Sequence, residues 1–396
     1  MGDNHYSILI IDFYGLRSHI TRFIRNLKMT NPAVKVTLLV DMPKRAFPVE
    51  LVDYLDGFIK WRRYEKRPLG CKWLGFIRNW INYGSLYIQL SKLSREEHFD
   101  IVNIHYPQYF MCFMMKQLKK MCKSIVVSPW GSDVLRLEGK RKKRKLAQVF
   151  RKADFTTAGK EGEVGKTLIN EMNISENKFH SLTWGSETID YINDHLFEMT
   201  VEDAKHRLGL DNRYVITCGY NAFEEQRHEV MISAINSIKN DLPDSITLLF
   251  PLTYGFSDDH RKKYTDRLKQ LCNEMNLDAV YYEDYLSVAD LFLLRMATDM
   301  FVHIQTTDAG NSSLQEYVLC GKKVVHGSWV HYQYLEKFKP LFYFPVEDLE
   351  HLGEAIVKAY YSDGISVPAE VIDYIRNRGW KAKIKLWDDF FVSLVR

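Results

Sequence analysis

DAGNSSLQEYVLCGKKVV, residues 308–325, places a turn of small residues between two β-rich runs. The run 300–304 (MFVHI) leads into Ala309-Gly310-Asn311-Ser312-Ser313; a helical run then stops at Gly321, and the β-branched Lys323-Val324-Val325 follows at once. Strand, turn and helix N-terminus together predict an anion site, because the first helical turn leaves backbone N–H groups unpaired and carries partial positive charge. Gly310, Asn311, Ser312 and Ser313 are the residues expected to hold that anion, the two serines adding hydroxyl donors. Asp308 stands before the turn and Glu316 on the helix behind it, so two carboxylates bracket a nest of diphosphate size. An ordinary βαβ turn with surface acids has the same local pattern, and the rest of the chain must separate the two readings.

Apolar strands alternate with amphipathic segments along the whole chain, which predicts an α/β fold with parallel sheets. In the first half strands are expected at 6–13, 34–40, 99–105, 124–127, 153–158 and 179–182, and a helix at 18–29 on the spacing of Ile20, Phe23, Ile24 and Leu27. Residues 186–212 are polar and helical and read as a connector with a short helix. Strands resume at 214–218, 246–251, 279–281, 300–304 and 323–326. The expectation is two doubly wound Rossmann-like domains, 1–190 and 191–368, with an aromatic helical segment, 369–396, packing back on the first. Two such domains facing a cleft would take ligands at the carboxyl ends of both sheets.

Composition bounds the class. With 396 residues and 46% hydrophobic content the chain can build two cores. It has no run of eighteen apolar residues, and MGDNHYSILIIDFYG enters a strand without the order of a signal peptide, so a cytoplasmic protein is expected. Cys71, Cys112, Cys122, Cys218, Cys272 and Cys320 are scattered and form no CxxC pair, which fits reduced core thiols and not a zinc site. The net charge of +4 conceals a basic first half and an acidic second half. The basic excess gathers in 60–80, interleaved with Trp61, Trp73, Phe76 and Trp80, and in 136–152. Each cluster reads either as a solvated face or as a contact with an anionic membrane surface. No nucleic-acid motif accompanies the charge. Asp258-Asp259 and Asp388-Asp389 read as surface acids, and no metal site is expected.

Three further segments carry candidate chemistry. VSPWGSDV (127–134) brings Asp133 to the end of a strand, as a helix cap or as a site carboxylate. ITCGYNAFEEQRH (216–228) ends a strand at Gly219, followed by Asn221 and by Arg227, a guanidinium suited to phosphate. LLFPLTYGF (248–256) places Pro251 and Tyr254 in a tight turn after a buried strand. His105, in NIHYPQ, stands at another strand end, either as a structural residue or as a base.

In this order the segments resemble the GT-B glycosyltransferases, most closely bacterial members of the retaining glycosyltransferase family 4. The family's two glutamates with seven residues between them are matched by Asp308 and Glu316, ahead of Gly321 and Val324-Val325. Its His-Gly-Ser-Asp turn is matched by Trp130-Gly131-Ser132-Asp133. Its Ala-Asp strand and later linker are matched by Ala153-Asp154 and Trp184-Gly185-Ser186-Glu187. Its Gly-Arg loop corresponds to Gly219-Tyr220 with Arg227 downstream. The glycine pair after the family's first strand is reduced to Gly15. GYNAFEEQRH and PLTYG also resemble the 4-acetamido-fucose transferases, which share the fold and invert.

The resemblance implies a metal-independent transferase without cofactor, acting in bacterial surface polysaccharide (capsule) synthesis. It would move a sugar from a nucleotide diphosphate sugar, with UDP the expected nucleotide, to a glycan or lipid-linked acceptor. It implies Arg227 and the 310–313 turn on the diphosphate, Glu316 on the ribose, Asp308 on the donor sugar and Asp133 near the acceptor. An inverting transferase with Asp133 or His105 as base, a nucleotide-sugar 2-epimerase and a non-catalytic binding module stay open beside it.

Overall fold

The computed structural model describes residues 5–13, 18–41, 49–61, 72–242, 245–307, 312–332, 342–363 and 366–396. The chain forms two units, Met1–Trp184 with Lys381–Arg396, and Gly185–Trp380. The sequence reading placed those divisions at 190/191 and 368/369.

The first unit is built on β1 (Ser7–Asp12), β2 (Lys35–Asp41), β3 (Gly57–Trp61), β4 (Phe99–His105), β5 (Cys122–Ser128) and β6 (Phe155–Thr156). Its helices are α1 (Ser18–Thr30), α2 (Lys72–Glu96), α3 (Met115–Met121), α4 (Ser132–Leu135), α5 (Lys140–Lys152) and α6 (Glu163–Asn170). The sheet order is β3-β2-β1-β4-β5-β6, all parallel. SILIID in β1 is apolar on both faces because helices cover both sides of such a sheet. The order reverses between β1 and β4, and in open α/β sheets that point takes ligands at its carboxyl end. There Asp12 pairs with His105 and His105 with Ser128 in register, so three neighbouring strands end in polar residues.

The second unit carries α7 (Glu187–His195), α8 (Val201–Arg207), β7 (Tyr214–Cys218), α9 (His228–Ser237), β8 (Ile246–Pro251), α10 (Asp258–Glu274) and β9 (Ala279–Tyr282). After these come α11 (Val288–Ala297), β10 (Met300–His303), α12 (Ser312–Leu319), β11 (Lys323–Gly327), β12 (Tyr343–Val346), α13 (Leu352–Tyr360) and α14 (Ala369–Arg376). Its parallel sheet runs β12-β11-β10-β7-β8-β9, with the reversal between β7 and β10. Two buried apolar clusters line it, one through Phe301, Leu314 and Tyr317, the other through Ile216, Phe250 and Val302. The helix starts are fixed locally: Thr200 with Asp203 and Ser287 with Asp290 form capping boxes on α8 and α11.

Helix α15 (Trp380–Ser393) crosses the division at its first residue. Residues 381–396 group with the first unit, where Asp388 is buried and accepts hydrogen bonds from Tyr6 Oη (2.8 Å) and Asn31 Nδ2 (2.9 Å). Asp388 is therefore a core carboxylate and not the surface acid expected of it. Two other expectations are corrected. Residues 179–182 form no strand, only a bridge from Phe179 to Thr156, because β6 is two residues long and offers no ladder to extend. The 186–212 segment holds two helices, not one. Trp61 is corrected too: it is 1% exposed and packs on Phe13 and Phe110, so it belongs to the core and not to a basic surface.

Candidate active site

In the second unit the loops after β7 and β10 flank the point where the strand order reverses. Gly219 closes β7 at φ 63°, and its N–H donates to Val302 O at 3.0 Å. A Cβ there would lie 2.7 Å from His228 Nε2 and 2.8 Å from Gln226 Oε1, so both backbone and space require glycine. Asn221, buried, turns the chain by accepting the Phe223 N–H at 2.9 Å on Oδ1. Ala222 N–H then donates to the Tyr254 carbonyl at 2.7 Å, which ties the β8 loop, with buried Pro251 and half-exposed Tyr254, to the β7 loop.

Gln305 joins these loops, and nothing in its sequence context marked it. Its Oε1 accepts from Tyr220 Oη (2.8 Å) and Gln226 Nε2 (2.7 Å), its Nε2 donates to the Thr307 carbonyl (2.8 Å), and its carbonyl accepts from Trp329 Nε1 (2.7 Å). Over the Trp329 ring, 5.1 Å away, stands the Arg227 guanidinium. Arg227 is half-buried, sits in the left-handed region at φ 63° and is the N-cap of α9. Among the described residues no carboxylate pairs with it. A cation held at a helix N-terminus without a counter-ion suits an anionic ligand.

Glu316, on α12, is buried. Its Oε2 accepts from Arg295 Nη2 (3.1 Å) and Nε (3.2 Å), and its Oε1 from the Ser186 hydroxyl (3.3 Å). Arg295 also donates to Tyr317 Oη (2.8 Å) and to Ser313 Oγ (3.4 Å), at the first turn of α12 beside Ser312. Burial opposes the charge on Arg295, but the neighbouring Tyr317 and Glu316 outweigh it and raise its pKa. Sequence reasoning missed Arg295; its signal is a lone cation in the apolar helix VADLFLLRMA. Gly15, Asp308, Gly310 and Asn311 lie outside the described residues.

In the first unit Asp133 is the second residue of α4, and its Oδ1 accepts the Trp130 N–H at 2.9 Å. It thus reaches back over the turn instead of capping a helix ahead of it. Its Oδ2 is buried and has no hydrogen-bond partner among the described residues. Burial pushes the carboxyl up to about 7, only partly offset by nearby backbone N–H groups. Around it Ser132 Oγ bonds Tyr106 Oη at 3.2 Å, and the Trp130 ring packs edge-on against His19, Tyr106 and Trp184. His105 is fully buried among Phe23, Trp184 and Trp387, neither ring nitrogen has a partner among the described residues, and burial holds its pKa down to about 3. A neutral imidazole enclosed by aromatic rings is placed as a packing residue, not as a base.

Among the described residues no three His, Cys, Asp or Glu side chains gather in a way that could hold a metal ion. No described helix is long and apolar enough to cross a membrane.

No family model matches the chain, and no curated protein matches it. Solved structures do. A glycosyltransferase of Rickettsia africae aligns over 99% of both chains, with 13% identity and a TM-score of 0.69. A sucrose-phosphate synthase of Thermosynechococcus elongatus aligns over 98% of this chain and 99% of its own, with 14% identity and a TM-score of 0.71. HepE of Anabaena, solved with UDP-glucose, aligns over 99% and 97%, with 15% identity and a TM-score of 0.63. With two parallel six-stranded units in succession and these full-length likenesses, the chain has the GT-B fold.

Proposed function

We propose that the chain is a glycosyltransferase whose second unit binds a nucleotide diphosphate sugar, UDP being the expected nucleotide. The observation that carries this reading is Arg227, a cation with no carboxylate partner among the described residues, at the start of α9 and fixed over Trp329 beside the sheet's reversal point. HepE, similar over its whole length, was solved with UDP-glucose, which supports the choice of ligand. Arg227 and the N-terminus of α12 take the diphosphate and stabilise the charge that develops as it leaves, a task requiring fixed donors and no metal. Glu316, oriented by Arg295, accepts from the ribose hydroxyls, and Asp308 orients the donor sugar. The acceptor is a glycan or lipid-linked sugar of a bacterial surface polysaccharide, reached at the inner face of the plasma membrane through the basic segments 60–80 and 136–152. Transfer proceeds with retention.

One observation favours a second reading, inversion. Asp133 has a buried, unpartnered Oδ2 and a pKa near neutrality, as a general base for an acceptor hydroxyl requires. The anomeric configuration of the product separates the two. The donor assignment is tested by thermal shift. UDP should raise the melting temperature, because it binds the native state only. Arg227→Ala should weaken UDP by about 10- to 100-fold, the worth of one charge-assisted contact. If neither UDP nor any other nucleoside diphosphate shifts the wild type, the reading fails.

A further inference from the structure

Helix α2 is apolar on two opposite sides. One side packs inward through the fully buried Leu86 and Leu90. The other turns Ile77, Trp80, Ile81 and Ile88 outward, with Ile88 70% exposed. These positions, with Gly84 between them, fall at i, i+3, i+4, i+7 and i+11 and form one stripe. A helix with two apolar faces ordinarily has both covered.

The surroundings of the stripe indicate what covers it. The Trp80 ring lies 6.0 Å from Phe113, itself 39% exposed, and Lys145 of α5 stands 4.8 Å over Phe113. The stripe therefore runs directly into α5, which opens with the cations Lys140, Arg141, Lys142, Lys143, Arg144 and Lys145. Among the described residues only Lys143 of this run has a carboxylate partner, Glu171 at 2.9 Å. At the other end of the stripe an open groove of ≈ 670 Å³ is lined by Tyr87, Ile88, Lys92, Arg95, Gln117 and Lys120. Cations thus flank exposed apolar side chains at both ends.

We propose that this surface of the first unit seats on an anionic lipid bilayer. Trp80, Ile81 and Ile88 enter the interfacial layer, and the first turns of α5 lie over lipid phosphates. Apolar burial and attraction to acidic headgroups act together in such a contact, and neither alone accounts for both features of the surface. A second copy of the chain fits less well, since a two-fold contact on this stripe would set the cation-flanked ends of one copy against those of the other. The proposal deepens the membrane contact included in the function above by naming its surface, and it does not require the transfer reaction.

The test is co-sedimentation of the full chain with mixed phosphatidylcholine–phosphatidylglycerol vesicles, against phosphatidylcholine alone. The chain should bind the anionic vesicles, with Trp80 emission moving to shorter wavelength. Each of Lys140→Gln, Arg141→Gln and Arg144→Gln should weaken binding about fivefold. Ile81→Ser and Ile88→Ser should each weaken it about five- to tenfold. Unchanged affinity of these folded, surface-only variants overturns the proposal. So does binding to an acidic polypeptide but not to vesicles, or a solution dimer that Trp80→Ser dissolves. Vesicle binding without a thermal shift by UDP or any other nucleoside diphosphate would sink the transferase reading and leave this one standing; the opposite result would do the reverse.

Discussion

Replacing Asp133 with Asn makes the burial of this carboxyl measurable. The folded pKa is about 7 against 3.8 for an ordinary Asp, so the folded state binds the proton more tightly than the unfolded chain. Here the ionised form is the costly one. The penalty is absent below pH 3.8, grows as pH rises, and is complete above about pH 7. At about 1.4 kcal/mol per pKa unit, the wild type loses about 2 kcal/mol by pH 5 and about 4 kcal/mol by pH 8 from this one group. Asn cannot ionise and escapes the loss. Its amide keeps the bond to the Trp130 N–H through Oδ1 but puts an N–H where Oδ2 has no partner, which costs about 1–3 kcal/mol. That cost does not depend on pH, so the difference between two pH values removes it. The stability of Asp133→Asn relative to wild type should therefore rise by about 2–3 kcal/mol between pH 5 and pH 8. Urea denaturation of both proteins at the two pH values reads this directly. A relative stability that stays constant with pH would show that the carboxylate is not held in a desolvated site, and would remove the argument for it as a base.

Arg295→Met should destabilise the second unit by about 3–5 kcal/mol in thermal or urea unfolding, because it leaves the Glu316 charge buried and unpaired. The double change Arg295→Met with Glu316→Leu should recover most of that loss while abolishing donor binding. Gly219→Ala should cost about 1–3 kcal/mol, since alanine resists φ 63° and its Cβ meets His228 and Gln226. The UDP-induced thermal shift should shrink with it. His105→Phe should leave the fold and the pH profile of transfer intact if the ring only packs; an activity loss with an unchanged melting temperature would restore His105 as a candidate base.

The strands that sequence showed best are those buried on both faces. SILIID and the run 300–303 read as near-continuous apolar segments because parallel sheets are covered on both sides. Strand β12 was not legible: Pro345 argues against a central strand, and it is tolerated only because β12 lies at the sheet edge. Strand β3 alternates exposed and half-buried positions beside a basic run, which hid the burial of Trp61. Candidate residues with distinctive chemistry near strand ends, Asp133 and Arg227 among them, stand out by type and place; whether they form a site is part of the proposal. Gln305 and Arg295 do not stand out, because their roles come from partners distant in sequence: Tyr220, Gln226 and Trp329 for one, Glu316 for the other.

Arg227 occupies a backbone conformation that disfavours every side chain except glycine's, by about 1–2 kcal/mol. Exchange for glycine would relax the turn and make the second unit sturdier while discarding the half-buried guanidinium. On the proposed reading, robustness and ligand capture pull in opposite directions at a single position, and mutagenesis screened only for thermal tolerance should drift toward glycine there and lose the cation.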